Sequence, residues 1–171
     1  MKISHPLPGY LGAQRTHHGR WSMTALHLRS ATLAGAATGM RSTVAVAALI
    51  SFRASGLPAW MTGRGGMVLA PLAVTGELVA DKLPSTPSRL IPRGLAGRAA
   101  FAAFAGAVLA RGDEQPLLPA AAIASAAALA SAKICHDLRA AASNRFPPCA
   151  VAAAEDGLAL GLAGAAGELT L

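Results

Sequence analysis

The chain reads as an all-α protein, a polytopic membrane helix bundle of about five membrane segments. Three observations predict this. Of 171 residues, 53 % are hydrophobic and only 13 % are charged, where a soluble domain carries about 25 % charged residues. The apolar residues gather into five stretches near the roughly 20 residues that a spanning helix needs. The basic residues fall mostly in the gaps between those stretches, as they do in membrane loops. This composition is the opposite of what disorder requires, and there is neither a strict glycine repeat nor a charged-flank heptad.

Residues 1–24 hold Lys2, Arg15, Arg20, three histidines and no acid. They lack the apolar core of a secretory signal and read as a disordered basic tail, with Met23 as an alternative start. Residues 25–171 form the expected bundle. Segment one is about 30–52, with Gly39, Met40 and Arg41 near its centre. Segment two is about 66–83 and segment three about 94–110. Both are short, so a tilted, kinked or re-entrant path suits them. Segment four is about 117–142 and very rich in Ala, and segment five is about 148–167. Prolines mark the gaps at Pro58, at Pro84, Pro87 and Pro92, at Pro116 and Pro119, and at Pro147 and Pro148, where helix breakers belong.

Alanine is near neutral for insertion, so close packing must supplement hydropathy. Gly35 with Gly39, and Gly157 with Gly161, stand at the GxxxG spacing that lets helices approach closely and permits homo-oligomers. Counted alternately, Lys2, Arg15, Arg20, Arg29, Lys82, Arg89, Arg93, Arg98, Arg139 and Arg145 share one side. Arg53, Arg64 and Arg111 share the other. The positive-inside rule then predicts a cytoplasmic N-terminus, provided that every segment crosses. Trp21 and Trp60 fall near opposite interfaces.

The informative residues are the charges inside the segments. Five bases (Arg41, Lys82, Arg98, Lys133, Arg139) face five acids (Glu77, Asp81, Asp137, Glu155, Asp156). A charge at mid-bilayer costs about 2.5–3.5 kcal/mol on the translocon scale, so pairing is expected. With alternating spans these groups converge on one half of the bilayer. That predicts a polar, charge-balanced cavity open to the cytoplasm, built from Arg41, Glu77, Asp81, Lys82, Arg139, Glu155 and Asp156. Glu77 and Asp81 are four apart and share a helix face. Arg41 fits between them, or between Glu77 and Glu155. Lys133 and Asp137 are suited to pair with each other. Glu155 and Asp156 are adjacent, point about 100° apart, and need different partners.

The following loop, residues 81–93, holds Ser85, Thr86, Ser88, Arg89 and Arg93 among prolines. Hydroxyls and guanidinium forks suit a small anion or the phosphate of an anionic lipid. No phosphate-binding glycine loop, dinucleotide fingerprint or nucleophile elbow is present. Cys135, His136, Asp137 and Cys149 lack metal-ligand spacing, and two cysteines make no disulfide framework. Neither enzyme activity nor a cofactor or metal is expected. With 4 % aromatic residues there are few stacking platforms for nucleic acid.

Four stretches carry a family resemblance. They are Gly-Met-Arg-Ser-Thr (39–43), Gly-Glu-Leu-Val-Ala-Asp-Lys-Leu-Pro-Ser-Thr-Pro-Ser-Arg (76–89), Gly-Leu-Ala-Gly-Arg (94–98) and Ala-Glu-Asp-Gly-Leu-Ala-Leu (154–160). Together they resemble the bacterial membrane-protein family known as domain of unknown function 4126, over residues 24–165. By that resemblance Arg41, Glu77, Asp81, Lys82, Pro84, Pro87, Ser88, Arg89, Glu155 and Asp156 occupy motif positions. Residues 133–139 depart from the pattern except at Arg139. The resemblance implies a multi-pass protein of the bacterial inner membrane and supplies no activity. The sequence therefore predicts a transporter- or channel-like membrane protein. Two alternatives stand beside it: a structural or assembly protein with an architectural ion-pair network, and a lipid-phosphate-binding protein.

Overall fold

The computed structural model describes residues 24–80, 91–142 and 144–169. These residues form seven helices and, among them, no strand: α1 (Ala25–Met40), α2 (Val44–Ser51), α3 (Ala59–Thr62), α4 (Arg64–Ala80), α5 (Pro92–Gly112), α6 (Leu117–Ala142) and α7 (Pro148–Glu168). The all-α expectation holds. Three helices, α5, α6 and α7, are long and apolar enough to cross a membrane, and they coincide with expected segments three, four and five. Pro92 and Pro148 each open a helix in its first turn, where the missing N–H would be unpaired anyway. Segment two corresponds to α4, of 17 residues with Pro71 inside it.

Segment one is not one helix. It breaks at Arg41–Thr43, and the chain turns back on itself there. Five contacts locate the turn. His27, in the first turn of α1, bonds through Nε2 to Asp113 Oδ2 at 2.7 Å, placing the start of α1 at the C-terminal end of α5. Twelve residues on, the carbonyl of Gly39 accepts from Arg98 near the N-terminal end of α5. Arg41 meets Asp156 early in α7. The chain then returns: Phe52 lies against Gly167 late in α7, and Gly56 lies against Val108 and Gly112 late in α5. So α1 and α2 form a hairpin whose entry and exit share one end of the bundle.

This corrects the alternating topology, which assumes that segment one crosses. The hairpin brings Arg29 and Arg53, which the alternating count puts on opposite sides, to one end of the bundle, while Arg41, Arg93, Arg98, Lys133, Arg139 and Arg145 lie toward the other. Lys2, Arg15, Arg20, Lys82 and Arg89, half of the bases counted for the cytoplasmic side, lie outside the described residues.

The hairpin packs into the remaining helices. Its residues Ala34, Ala37, Val44, Ala45, Leu49 and Ile50 form one core with Ala105, Val108, Leu109, Ala163 and Ala166. The α1–α6 contact is a small-residue seam. A Cβ on Gly35 would meet the Ala124 carbonyl oxygen and lie 2.8 Å from its carbonyl carbon, and one on Gly39 would lie 2.9 Å from the Ala128 carbonyl carbon. By contrast, among the described residues nothing lies within 4 Å of a Cβ on Gly157 or Gly161.

Two helices end in Schellman motifs without glycine. At the end of α2, Arg53 adopts φ 54°, its N–H bonds Ile50 O and that of Ala54 bonds Leu49 O, both at 3.0 Å. At the end of α5, Glu114 adopts φ 55° while Gln115 N–H bonds Ala110 O at 2.8 Å. This left-handed position usually belongs to glycine, which is why the sequence does not announce it.

The distribution of side-chain size is inverted relative to a soluble bundle. On α6 the buried positions are Ala120, Ala124, Ala128, Ser131 and Ala132, while Leu118, Ile134 and Leu138 are exposed. On α4 the inner stripe is Gly66, Ala70, Val74 and Glu77, and Val68, Leu69, Leu72 and Val79 point outward. Small residues inside and large apolar ones outside suit a hydrocarbon solvent, which supplies close packing but no hydrophobic drive between helices.

Candidate functional site: the charged tip of the hairpin

A hairpin turn within a bundle exposes two sets of backbone groups. The last carbonyls of α1 and the first amides of α2 lack helical partners. In apolar surroundings each unsatisfied group costs several kcal/mol. Residues from distant helices satisfy four of them here.

Glu77, in the last turn of α4, serves the amide end. Its Oε1 accepts from the Ser42 N–H at 2.6 Å, and its Oε2 accepts from the Thr43 N–H at 2.9 Å and the Thr43 hydroxyl at 2.7 Å. Thr43 is the N-cap residue of α2 but makes no side-chain cap of its own. A carboxylate 34 residues away does the capping instead, placing negative charge at the positive end of the α2 dipole. Glu77→Ala is expected to destabilise the protein by about 1–3 kcal/mol, the cost of stranding part-buried donors. Glu77→Gln, which keeps one acceptor oxygen, should lose less; unfolding titrations in mixed micelles would order the pair.

Arg98, in the second turn of α5, serves the carbonyl end. It is 6 % exposed and donates through Nη1 to the carbonyls of Gly39 and Met40, the latter at 3.3 Å. A cation at the negative end of α1 is the complementary dipole arrangement. Arg41 is the residue at the turn itself. It is 3 % exposed, and its guanidinium donates to Asp156 Oδ1 through Nε at 2.7 Å and again through Nη2. Next to it in sequence, Glu155 pairs with Arg139 of α6. Among the described residues no buried side-chain nitrogen or oxygen lacks a hydrogen-bond partner.

Several expectations can be placed on this geometry. Arg41, Glu77, Arg139, Glu155 and Asp156 do come together at the hairpin-tip end. Glu155 and Asp156 do take different partners, and Lys133 Nζ does pair with Asp137, at 2.5 and 2.7 Å, on the exposed face of α6. That exposed pair is of the type worth only a few tenths of a kcal/mol. Glu77 does not pair with Arg41; it caps α2, because the hairpin turn presents it with two adjacent amides. Around Arg41 the described residues form ion pairs. Asp81, Lys82, Ser85, Thr86, Ser88 and Arg89 lie outside the described residues. Arg93 lies in the first turn of α5.

Arg98, Ser42 and Thr43 are the site residues that spacing alone did not select. A signal existed: Ser-Thr in the middle of an apolar run is a pair of N-cap residue types where a continuous helix has no use for them. Among the described residues no three His, Cys, Asp or Glu side chains are grouped to hold a metal. Comparison with protein-family models, with curated proteins and with solved structures finds no match to the chain.

Proposed function

We propose that this is an integral membrane protein in which α4 joins α5, α6 and α7 as traversing helices, while α1 and α2 enter and leave on one face. This replaces five spans by four and a re-entrant hairpin. The charged centre is architectural: it seals the turn of that hairpin inside the bundle. One observation carries this reading. The Ser42 and Thr43 amides, the Gly39 and Met40 carbonyls and the Arg41 guanidinium are each met by a side chain from a distant helix, and among the described residues no buried side-chain nitrogen or oxygen lacks a partner. On this reading the protein is a scaffold or assembly component, consistent with the resemblance to domain of unknown function 4126, which implies a multi-pass inner-membrane protein.

A specific observation favours a second reading, a transporter- or channel-like protein. Broken helices that bring their dipole ends to mid-membrane form the substrate sites of many transporters. Here the amide end of α2 and the Arg41 guanidinium are both placed at such a break. On this reading Glu77 and Asp156 occupy the anion positions of a closed state. Flux of protons and small anions through proteoliposomes separates the two. The architectural reading expects wild-type flux equal to that of empty vesicles. Flux above that background, abolished in a folded Arg41→Ala protein, would replace it with the transport reading.

A further inference from the structure

Consecutive helices α6 and α7 barely touch each other, although each packs against α1. The gap between them is a crevice of about 200 Å³, lined by Cys135, Leu138, Arg139, Val151, Glu155 and Leu158 among others. Its walls are apolar except for one feature, the Arg139–Glu155 pair about midway along it. Glu155 is 9 % exposed in its side chain, whereas Arg139 keeps 35 % of its side chain exposed. The turn that joins the two helices follows Ala142, which also lines the crevice, and carries exposed Arg145 and Phe146.

We propose that this crevice holds one acyl chain of an anionic phospholipid, with the headgroup phosphate against Arg145. The proposal rests on the reading of the chain as membrane-spanning. Three features of the crevice argue for this occupant over a partner helix or a free anion. The apolar groove runs from the helix ends at Ala142 and Val151 inward to Cys135 and Leu158, about two turns or roughly 10 Å, so it takes a chain rather than a compact solute. Arg145 lies at the mouth, in the turn that joins the two helices, with its N–H bonded to the Ala142 carbonyl at 2.9 Å, where a headgroup sits. An exposed aromatic, Phe146, flanks it, as aromatic side chains flank membrane interfaces. Arg139 is already paired with Glu155 inside the groove, so the net positive character of the mouth comes from Arg145. This site is separate from the 81–93 loop and uses neither the hairpin tip nor Glu77.

The test is native mass spectrometry of the full-length protein in detergent, titrated separately with phosphatidylglycerol, phosphatidylcholine and inorganic phosphate. Phosphatidylglycerol is expected to be retained over phosphatidylcholine by about five-fold, the effect of the one cation, Arg145, that faces its phosphate. Arg145→Gln, on an exposed turn, should reduce that preference by about the same factor. Leu158→Trp, which fills the groove from an exposed position, should displace either lipid. Equal retention of the two lipids would overturn the proposal, as would an equal response to inorganic phosphate alone. So would a dimer closed over the crevice with no lipid bound. Partition of the chain into the aqueous phase without detergent would instead sink the membrane reading on which the proposal rests.

Discussion

Replacing Arg41 by alanine is expected to destabilise this protein by about 3–5 kcal/mol, the largest single effect in the chain. The magnitude follows from what is left behind. Arg41 has 4 % of its side chain exposed and Asp156 has 23 %. Removing the guanidinium strands a carboxylate beside a helix turn whose other groups are already committed. Partial exposure of Asp156 allows some hydration, which holds the loss toward the lower end of the range. The pair itself need not be strongly favourable. Two charges drawn into low-dielectric surroundings lose hydration that their attraction only partly restores, and well-packed apolar replacements are often neutral. The double variant R41M/D156L should therefore be more stable than Arg41→Ala alone. Unfolding titrations in mixed micelles of the two single variants and the double would show this. Additive losses would mean that the two side chains act independently.

The second large effect comes from a residue with no side chain. Gly39→Ala is expected to cost about 1–3 kcal/mol, the range for overpacking a close interface. Its new methyl group would meet the Ala128 carbonyl and the Ser131 hydroxyl. The Ala128 carbonyl is helix backbone, which cannot yield by changing a rotamer. Ser131 can rotate, but its hydroxyl bonds the Ala36 carbonyl at 2.9 Å across the α1–α6 seam, and turning away would break that bond. Gly157→Ala is the control. It has the same chemistry and the same GxxxG spacing, yet no neighbour among the described residues lies within 4 Å. That change should be neutral, or stabilising by up to about 1 kcal/mol through helix propensity. Thermal melts of the two variants side by side would separate packing from propensity. Equal losses at both positions would mean that the exposed α7 stripe is covered in the folded protein.

These two contrasts show where sequence and structure part. Both glycine pairs look alike on paper, because spacing records which residues share a helix face and not what lies opposite. Arg41 was recognisable as a buried charge needing an acid, since a charge within an apolar run has few other options. Which acid it takes was not recognisable. Glu77, Asp81, Glu155 and Asp156 are chemically close, and the choice depends on rotations of helices far apart in sequence. Arg98 lay among the embedded charges but had no evident role. Its function as a cap exists only once α1 ends beside it.

By itself the sequence determined the helical class, the positions of α5, α6 and α7, and the divergence of Glu155 and Asp156. These follow from local quantities: apolar run length, proline at helix starts, and 100° per residue. Tertiary structure alone decided that segment one folds back as a hairpin, that its two ends share one face of the bundle, and that Glu77 and Arg98 serve as caps. Hydropathy is blind to direction, because an apolar run scores the same whether the helix continues or reverses. At Arg41–Thr43 the reversal is sustained by a carboxylate on α4 and a guanidinium on α5, which replace the helical hydrogen bonds that the turn gives up.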